Sequence, residues 1–210
     1  GLRLLDFISA PEPSRQTINA WVSEQTEQKI KDLLPGGSID SLTRLVLTNA
    51  IYFKSNWSNP FPEKNTQPAE FTLLDGKKAQ VSMMATDGKY NYAQDAIFQA
   101  IELPYESNKL SMFILLPDEG KFQEVEKSMD AAGFARMWKS LESNQVNLKM
   151  PKFSFTSPIE LNDPLKALGM TDAFKLNVAD FSGMDGTRDL YISDVLHKAF
   201  IAVDEKGTEA

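Results

Sequence analysis

Few residues in this sequence could do catalytic chemistry. His197 is the only histidine, so a Ser/His/Asp site would have to use it, and no G-x-S-x-G sequence is present to supply the nucleophilic serine. His197 stands between Leu196 and Lys198 in a strand-like run, where a hydrogen-bonded structural histidine is the favoured interpretation. The absence of cysteine excludes thiol chemistry and disulfides without assigning a compartment. We therefore expect a protein that is not an enzyme.

Metal and cofactor sites are not expected either. With one histidine and no cysteine, only carboxylates remain as ligands. The pairs Asp185-Gly186 and Asp204-Glu205 are too sparse for a calcium loop, and no glycine pattern that would hold a phosphate occurs. Asn56-Trp57-Ser58 fits the glycosylation triplet, but its tryptophan favours a packing role.

Composition narrows the class of partner. The chain has 210 residues, 42% of them hydrophobic, and a formal net charge of −7. The acidic balance argues against a nucleic-acid partner, and no apolar run approaches the roughly 18 residues of a membrane span. We expect neither nucleic acid nor membrane as a partner. The chain starts at Gly1 without an initiator methionine and stops at Ala210 soon after a β-like stretch, which we interpret as a fragment of a longer polypeptide.

The first quarter of the chain predicts a strand, a helix and a second strand. The first strand ends near Asp6-Phe7. Pro11 and Pro13 then mark a helix entry, and apolar residues at helical spacing predict one amphipathic helix over Ser14–Leu34. The range 44–53 is apolar at almost every position, which predicts a fully buried central strand.

Short strands dominate the middle of the chain, between Asn65 and Asp118. The dipeptides Asp75-Gly76 and Asp87-Gly88 predict two hairpin turns. The stretch from Lys121 to Leu141 predicts one or two surface helices.

The last third predicts two strands around a short helix. Residues 146–150 alternate as a strand, which Pro151 interrupts before Phe153 resumes it. Leu161–Leu168 predicts a helix with Pro164 in its first turn and Gly169 as a left-handed cap. Asp189–Asp204 predicts a long strand. Mixed strands and peripheral helices indicate an α+β fold with at least two sheets.

Several short motifs follow one another along nearly the whole chain, each occurring once. They are Ile18-Asn19-Ala20-Trp21-Val22, Leu47-Thr48-Asn49-Ala50-Ile51-Tyr52-Phe53-Lys54, Glu102-Leu103-Pro104-Tyr105, Met112-Phe113-Ile114-Leu115-Leu116-Pro117, Met150-Pro151-Lys152-Phe153, Leu168-Gly169-Met170, Ala179-Asp180-Phe181-Ser182-Gly183, His197-Lys198-Ala199 and Asp204-Glu205-Lys206-Gly207-Thr208-Glu209-Ala210. In this order and spacing they resemble the serpin family.

The resemblance implies an α+β, serpin-like multi-sheet fold with peripheral helices, in which residues 1–210 are part of a single serpin domain that lacks its N-terminal helices and C-terminal strands. It implies an inhibitor of serine or cysteine proteases whose exposed loop is cut and then inserts into the central sheet. The implied partner is the target protease, held as a covalent acyl-enzyme. The native state would be a monomer able to form loop–sheet polymers, located outside the cell or in the periplasm, with the cytoplasm as the alternative.

The resemblance also assigns roles to nine residues: Gly207, Thr208, Glu209 and Ala210 as the reactive-loop hinge, Asn49 and His197 as the shutter between two separating strands, and Trp57, Lys152 and Glu205 as the breach where insertion starts. Strand alternation would place Thr208 and Ala210 on one face and Glu209 on the other, in water. We predict an ion pair between Lys152 and Glu205.

Two other functions remain open from the sequence. A non-inhibitory serpin that carries a ligand or acts as a chaperone would share these motifs, because the scissile part of the loop follows Ala210. A hydrolase that uses His197 is the third class.

Overall fold

The computed structural model describes residues 2–210, which form two compact units. The first comprises residues 2–52, 155–200 and 210, and the second comprises residues 53–154 and 201–209. The helices are α1 (Pro11–Gln25), α2 (Phe122–Ser128), α3 (Ala131–Ser140), α4 (Asn162–Ala167) and α5 (Ser182–Asp185). The strands are β1 (Lys54–Asn56), β2 (Gln67–Thr72), β3 (Lys78–Gln94), β4 (Phe98–Pro104), β5 (Ser111–Pro117), β6 (Glu142–Pro151), β7 (Phe153–Glu160), β8 (Leu196–Val203) and β9 (Gly207–Glu209).

Helix α1 of the first unit is shorter than predicted. Pro11 begins it, as expected, but it ends at Gln25 rather than Leu34. Glu27 and Gln28 both adopt positive φ angles, of 48° and 63°, which an α-helix cannot contain. The Thr26 hydroxyl stabilises this exit, since it donates to the Val22 carbonyl and accepts the amide of Ile30. The prediction over Ser14–Leu34 is therefore wrong beyond Gln25.

The rest of the first unit contains α4, α5, most of β7 and the first part of β8. Pro164 lies in the first turn of α4 and Gly169 follows it with a φ of 102°, as predicted. β7 and β8 are hydrogen-bonded neighbours. β8 begins at Leu196, so the strand predicted from Asp189 is shorter than expected. At the N-terminus, residues 2–7 form no strand, while Gly1 of the predicted first strand lies outside the described residues.

The apolar range 44–53 forms no strand, which corrects the prediction of a buried central strand. Leu47 is 81% exposed and Ile51 is 78% exposed. A strand is buried only when neighbours cover its edges and faces, and no strand within residues 2–210 pairs with this range. Leu47 and Ile51 are therefore left largely uncovered, whereas Phe53 at the end of the range packs against Tyr105.

The second unit is built on a five-stranded sheet. The order β2-β3-β4-β5 is extended by β6, which pairs with β3 along Met83–Tyr92. Asp75-Gly76 makes the predicted turn between β2 and β3, with Gly76 at a φ of 81°. Asp87 and Gly88 lie inside β3 opposite β6, so the second predicted hairpin is wrong.

Two hydrophobic clusters stabilise the second unit. Helices α2 and α3, predicted as one or two surface helices, contribute Val125 and Met137 to the smaller cluster. The larger cluster has ten buried members: Trp57, Phe61, Met84, Tyr90, Ile101, Leu103, Tyr105, Leu148, Met150 and Val203. Two of its members contact the segment that leads into β9: Trp57 donates to the carbonyls of Asp204 and Lys206, and Val203 pairs with Thr208. Helices with two separate sheets confirm the α+β class.

Candidate functional site

The predicted hinge residues Gly207, Thr208 and Glu209 form β9, a strand paired on both sides. β9 runs antiparallel to β1, where Thr208 lies opposite Ser55. It also runs antiparallel to the end of β8, where Thr208 lies opposite Val203. The turn between β8 and β9 is held by the Asp204 carboxylate, which accepts the amides of Lys206 and Gly207. Gly207–Glu209 thus form a central strand in this structure.

Position 207 must be a glycine because β9 lies very close to β1 there. The residue is fully buried, and a β-carbon at this position would overlap the backbone carbonyl of Ser55. It would also lie 2.8 Å from the α-carbon of Asn56, which is backbone and cannot move aside. Only glycine allows this strand spacing.

Thr208 and Glu209 have different environments, as their alternation predicts. Thr208 is 5% exposed, and its hydroxyl oxygen accepts a hydrogen bond of 3.0 Å from the Tyr105 hydroxyl. The Glu209 side chain is 19% exposed, and its carboxylate lies 3.6 Å from the Lys54 ammonium. Glu209 is therefore more enclosed than the sequence suggested, since it is paired rather than free in water. Ala210, the last predicted hinge residue, is partly buried.

Trp57 packs beneath the turn that leads into β9. Its indole N–H donates to the Asp204 carbonyl at 3.0 Å, and its backbone amide donates to the Lys206 carbonyl at 2.8 Å. The indole stacks on the Tyr105 ring with centroids 4.8 Å apart and planes 11° apart. Phe53 contacts the same tyrosine edge-on at 5.0 Å. The rings of Phe53, Trp57 and Tyr105 thus pack together beside the turn that leads into β9.

The predicted ion pair between Lys152 and Glu205 is confirmed. The Lys152 ammonium lies 2.8 Å from Oε2 of Glu205, whose side chain is only 9% exposed. The Thr66 hydroxyl donates to Oε1 of the same carboxylate at 2.8 Å. The hydrogen bond from Lys152 is the main cause that lowers the pKa of Glu205 to about 2, and the same bond raises the pKa of Lys152. The carboxylate is therefore ionised at neutral pH.

The two predicted shutter residues are placed without contact to each other. Asn49 lies in the exposed range 44–53, outside any strand, and His197 lies exposed in β8. Neither side chain takes part in a hydrogen bond within residues 2–210. Their assignment to a shutter stays a prediction.

Two residues of this site were not assigned a role from the sequence. Tyr105 belongs to a quoted motif, but its contact with Thr208 joins residues 103 positions apart, and only the fold brings them together. Thr66 follows a short 3-10 helix, and nothing in the sequence around it predicts its hydrogen bond to the distant Glu205.

Throughout the described part of the chain, no cluster of three or more histidine or acidic side chains could hold an ion. No helix among residues 2–210 has the length and apolar character to cross a membrane. What the arrangement can do is mechanical: it holds three residues as a strand between two others.

The chain is similar to serpins throughout its length. It matches the family model described as serpin (serine protease inhibitor) over residues 1–210. It is 42% identical over 207 residues to a serpin-like protein of Methanosarcina acetivorans, which covers 98% of this chain and 49% of that protein. It is 41% identical over 218 residues to the leukocyte elastase inhibitor of Homo sapiens, which covers 100% of this chain and 58% of that protein.

A solved structure described as cleaved Serpin 42Da superimposes with a TM-score of 0.91 at 35% identity. The match covers 98% of this chain and 56% of that one. The chain spans about half the length of the relatives that it matches.

Proposed function

The chain belongs to the serpin family, and we propose that the whole protein inhibits a serine or cysteine protease by inserting its cleaved reactive loop into the sheet that contains β9. The observation that carries this proposal is the pairing of Gly207–Glu209 with β1 on one side and β8 on the other. The ladder with β8 reaches Ala202, opposite Glu209, and Ile201 precedes Ala202 in β8. A chain that continues from Ala210 could therefore add ladder hydrogen bonds one residue at a time.

Loop insertion would act on the protease through the covalent bond that joins them. When the protease attacks the scissile bond, the amine leaves and the loop stays bound to the enzyme, as an ester with a serine protease or as a thioester with a cysteine protease. At about 3.3 Å per residue, an insertion of about fifteen residues would carry the bound enzyme about 50 Å. Distortion of the protease would misplace its oxyanion hole, so that water could not complete hydrolysis.

Three features fit this mechanism. Gly207 permits the close approach to β1, Thr208 fills a buried position, and the turn at Asp204 directs the chain into the sheet. The name of the human relative, leukocyte elastase inhibitor, agrees with protease inhibition.

The proposal is tested with the full-length protein and a panel of trypsin, chymotrypsin, pancreatic elastase and papain. We expect at least one protease to form a complex that survives SDS, with a mass equal to the protease plus the cleaved inhibitor. Cleavage of the loop by every protease without such a complex would overturn the proposal and favour the ligand-carrier or chaperone alternative. A hydrolytic activity of the protein that disappears in His197→Ala, while the fold survives, would favour the hydrolase alternative.

Three further properties of the whole protein stay predictions. Residues 1–210 would be part of a single serpin domain, and the native protein would be a monomer that can form loop–sheet polymers. A location outside the cell or in the periplasm follows only from the habit of the family, in which a cytoplasmic location is also open.

A further inference from the structure

We infer that Tyr105 is a positioning residue that selects a hydroxyl side chain at position 208 when the hinge enters the sheet. This inference rests on the proposed function, because it concerns the first step of loop insertion. Without it, position 208 would need only a small side chain. With it, that side chain must also carry a hydroxyl group.

The hydroxyl groups of Tyr105 and Thr208 meet in a buried position. Their oxygens are 3.0 Å apart, with the tyrosine as donor. Tyr105 is 4% exposed and Thr208 is 5% exposed, so water has little access to either group. Burial is also the largest cause that raises the pKa of Tyr105. With β9 in place, the threonine oxygen is the partner that the tyrosine hydroxyl finds.

Tyr105 cannot turn away if that partner is missing. Its ring is stacked on Trp57 on one face and touched edge-on by Phe53. Trp57 is itself fixed by its hydrogen bonds to the turn before β9. The hydroxyl of Tyr105 therefore keeps its place whatever side chain stands at position 208.

A fixed donor in a buried site discriminates strongly between side chains. An aliphatic residue of the same shape as threonine would leave the tyrosine hydroxyl without a partner, and an unpaired buried donor costs more than a hydrogen bond contributes. Removal of the hydroxyls of both Tyr105 and Thr208 leaves no buried donor or acceptor unpaired, so it should change the free energy of insertion only slightly. The expected signature is rescue, in which a second change restores what the first one removed.

The test is a double-mutant cycle in the full-length protein with Tyr105→Phe, Thr208→Val and the two combined. The readout is the ratio of SDS-stable complex to cleaved inhibitor with whichever protease of the panel is trapped. We expect Thr208→Val to lower this ratio about tenfold, which corresponds to about 1.4 kcal/mol. The double variant should recover most of the loss, and Thr208→Ser, which keeps the hydroxyl, should behave as the parent.

Matched controls exist in the same unit. Tyr92→Phe removes a tyrosine hydroxyl that bonds Gln99, and Thr72→Val changes an exposed threonine at the end of β2. Both should leave the ratio unchanged. A Thr208→Val protein that inhibits like the parent would overturn the inference, as would losses that simply add in the double variant.

A second readout separates this inference from the proposed function. If the parent traps no protease, the proposed function fails, and the cycle is then measured on the urea unfolding midpoint of protein whose loop has been cut by papain. Non-additive midpoints would still show that Tyr105 holds the residue 208 hydroxyl in the sheet. If the midpoint shifts of the two single variants simply add in the double variant, the inference that Tyr105 holds the residue 208 hydroxyl is wrong as well.

Discussion

The Lys152 ammonium and the Glu205 carboxylate, 2.8 Å apart, join the end of β6 to the turn that enters β9. Glu205 is enclosed and also accepts the Thr66 hydroxyl, whereas the Lys152 side chain is 47% exposed. One partner is thus fixed by the fold, and the other reaches it from solvent. The pair anchors the turn at the point where β9 begins.

Glu205→Lys should destabilise the protein and loosen this turn. The change places a second ammonium beside Lys152 and removes the acceptor of the Thr66 hydroxyl. We expect a loss of about 1–3 kcal/mol, below the cost of breaking a fully buried pair because Lys152 is half exposed. Urea unfolding measures the loss, and size-exclusion chromatography should show polymers.

The control for this change is Glu124→Lys. Lys121, which precedes α2, and Glu124 in its first turn are also 2.8 Å apart, but both are exposed, and such a pair contributes little. A Glu205→Lys protein as stable and as monomeric as the Glu124→Lys protein would contradict the anchoring role.

The contribution of Glu205 to stability should disappear in acid. Its pKa is about 2 in the folded protein against an ordinary value of 4.5, and the hydrogen bond from Lys152 is the main cause. A carboxylate with a lowered pKa stabilises the fold above its unfolded pKa and loses this effect as pH falls through the folded pKa. The window therefore runs from 4.5 down to about 2.

The measurement compares the parent with Glu205→Gln by urea unfolding across this pH range. The difference in unfolding free energy should be constant above 4.5 and narrow toward about 2. The comparison with Glu205→Gln is necessary because Glu12, paired with Arg15, also has a pKa of about 2. Its effect on stability is the same in both proteins and cancels in the difference. A difference that does not change with pH would show that the charge of Glu205 is unimportant.

Local chemistry was predicted correctly at α4 and at the turn between β2 and β3, where neighbours in the sequence determine it. Pro164 and Gly169 bound α4 through their own backbone preferences, and Asp75-Gly76 closes a hairpin between two adjacent strands. Asp87-Gly88 has the same turn chemistry, yet the pairing of β6 along β3 holds it in a strand. Long-range pairing overrode the local preference there.

The parts that the sequence could not supply depend on distant partners. The apolar pattern of residues 44–53 predicted a buried strand, which the structure does not contain, because a pattern of side chains cannot say whether other strands are present to cover it. The contact of Tyr105 with Thr208 likewise joins segments far apart in the chain. By contrast, the ion pair of Lys152 with Glu205 was predicted because resemblance to a known family supplied the long-range information.

Gly207→Ala should drive β9 away from β1. The new methyl group would meet the backbone of Ser55 and Asn56, which has no side chain that could turn aside. We expect a loss of about 1–3 kcal/mol in the urea unfolding of loop-cut protein, the usual cost of an added group in a packed site. Gly183→Ala is the control, because a β-carbon there meets open space. Equal unfolding midpoints for the two variants would refute the close approach.

Thr208→Arg should convert the proposed inhibitor into a substrate. The guanidinium would have to be buried beside Tyr105 without a carboxylate partner, which is far more costly than to leave the hinge outside the sheet. Thr208→Pro should act in the same direction, since proline is confined to edge strands and β9 has neighbours on both sides. We expect the ratio of trapped to cleaved inhibitor on SDS gels to fall at least about tenfold, a difference of about 1.4 kcal/mol.

The matched control for residue 208 is its neighbour, Glu209→Gln. The Glu209 carboxylate faces the exposed Lys54 ammonium at 3.6 Å, and a pair with one partner in solvent contributes at most about 1 kcal/mol. Glu209→Gln should therefore keep most of the inhibition that Thr208→Arg loses. Because strand alternation gives the two positions opposite faces, equal losses at both would mean that residue 208 does not enter the sheet during inhibition.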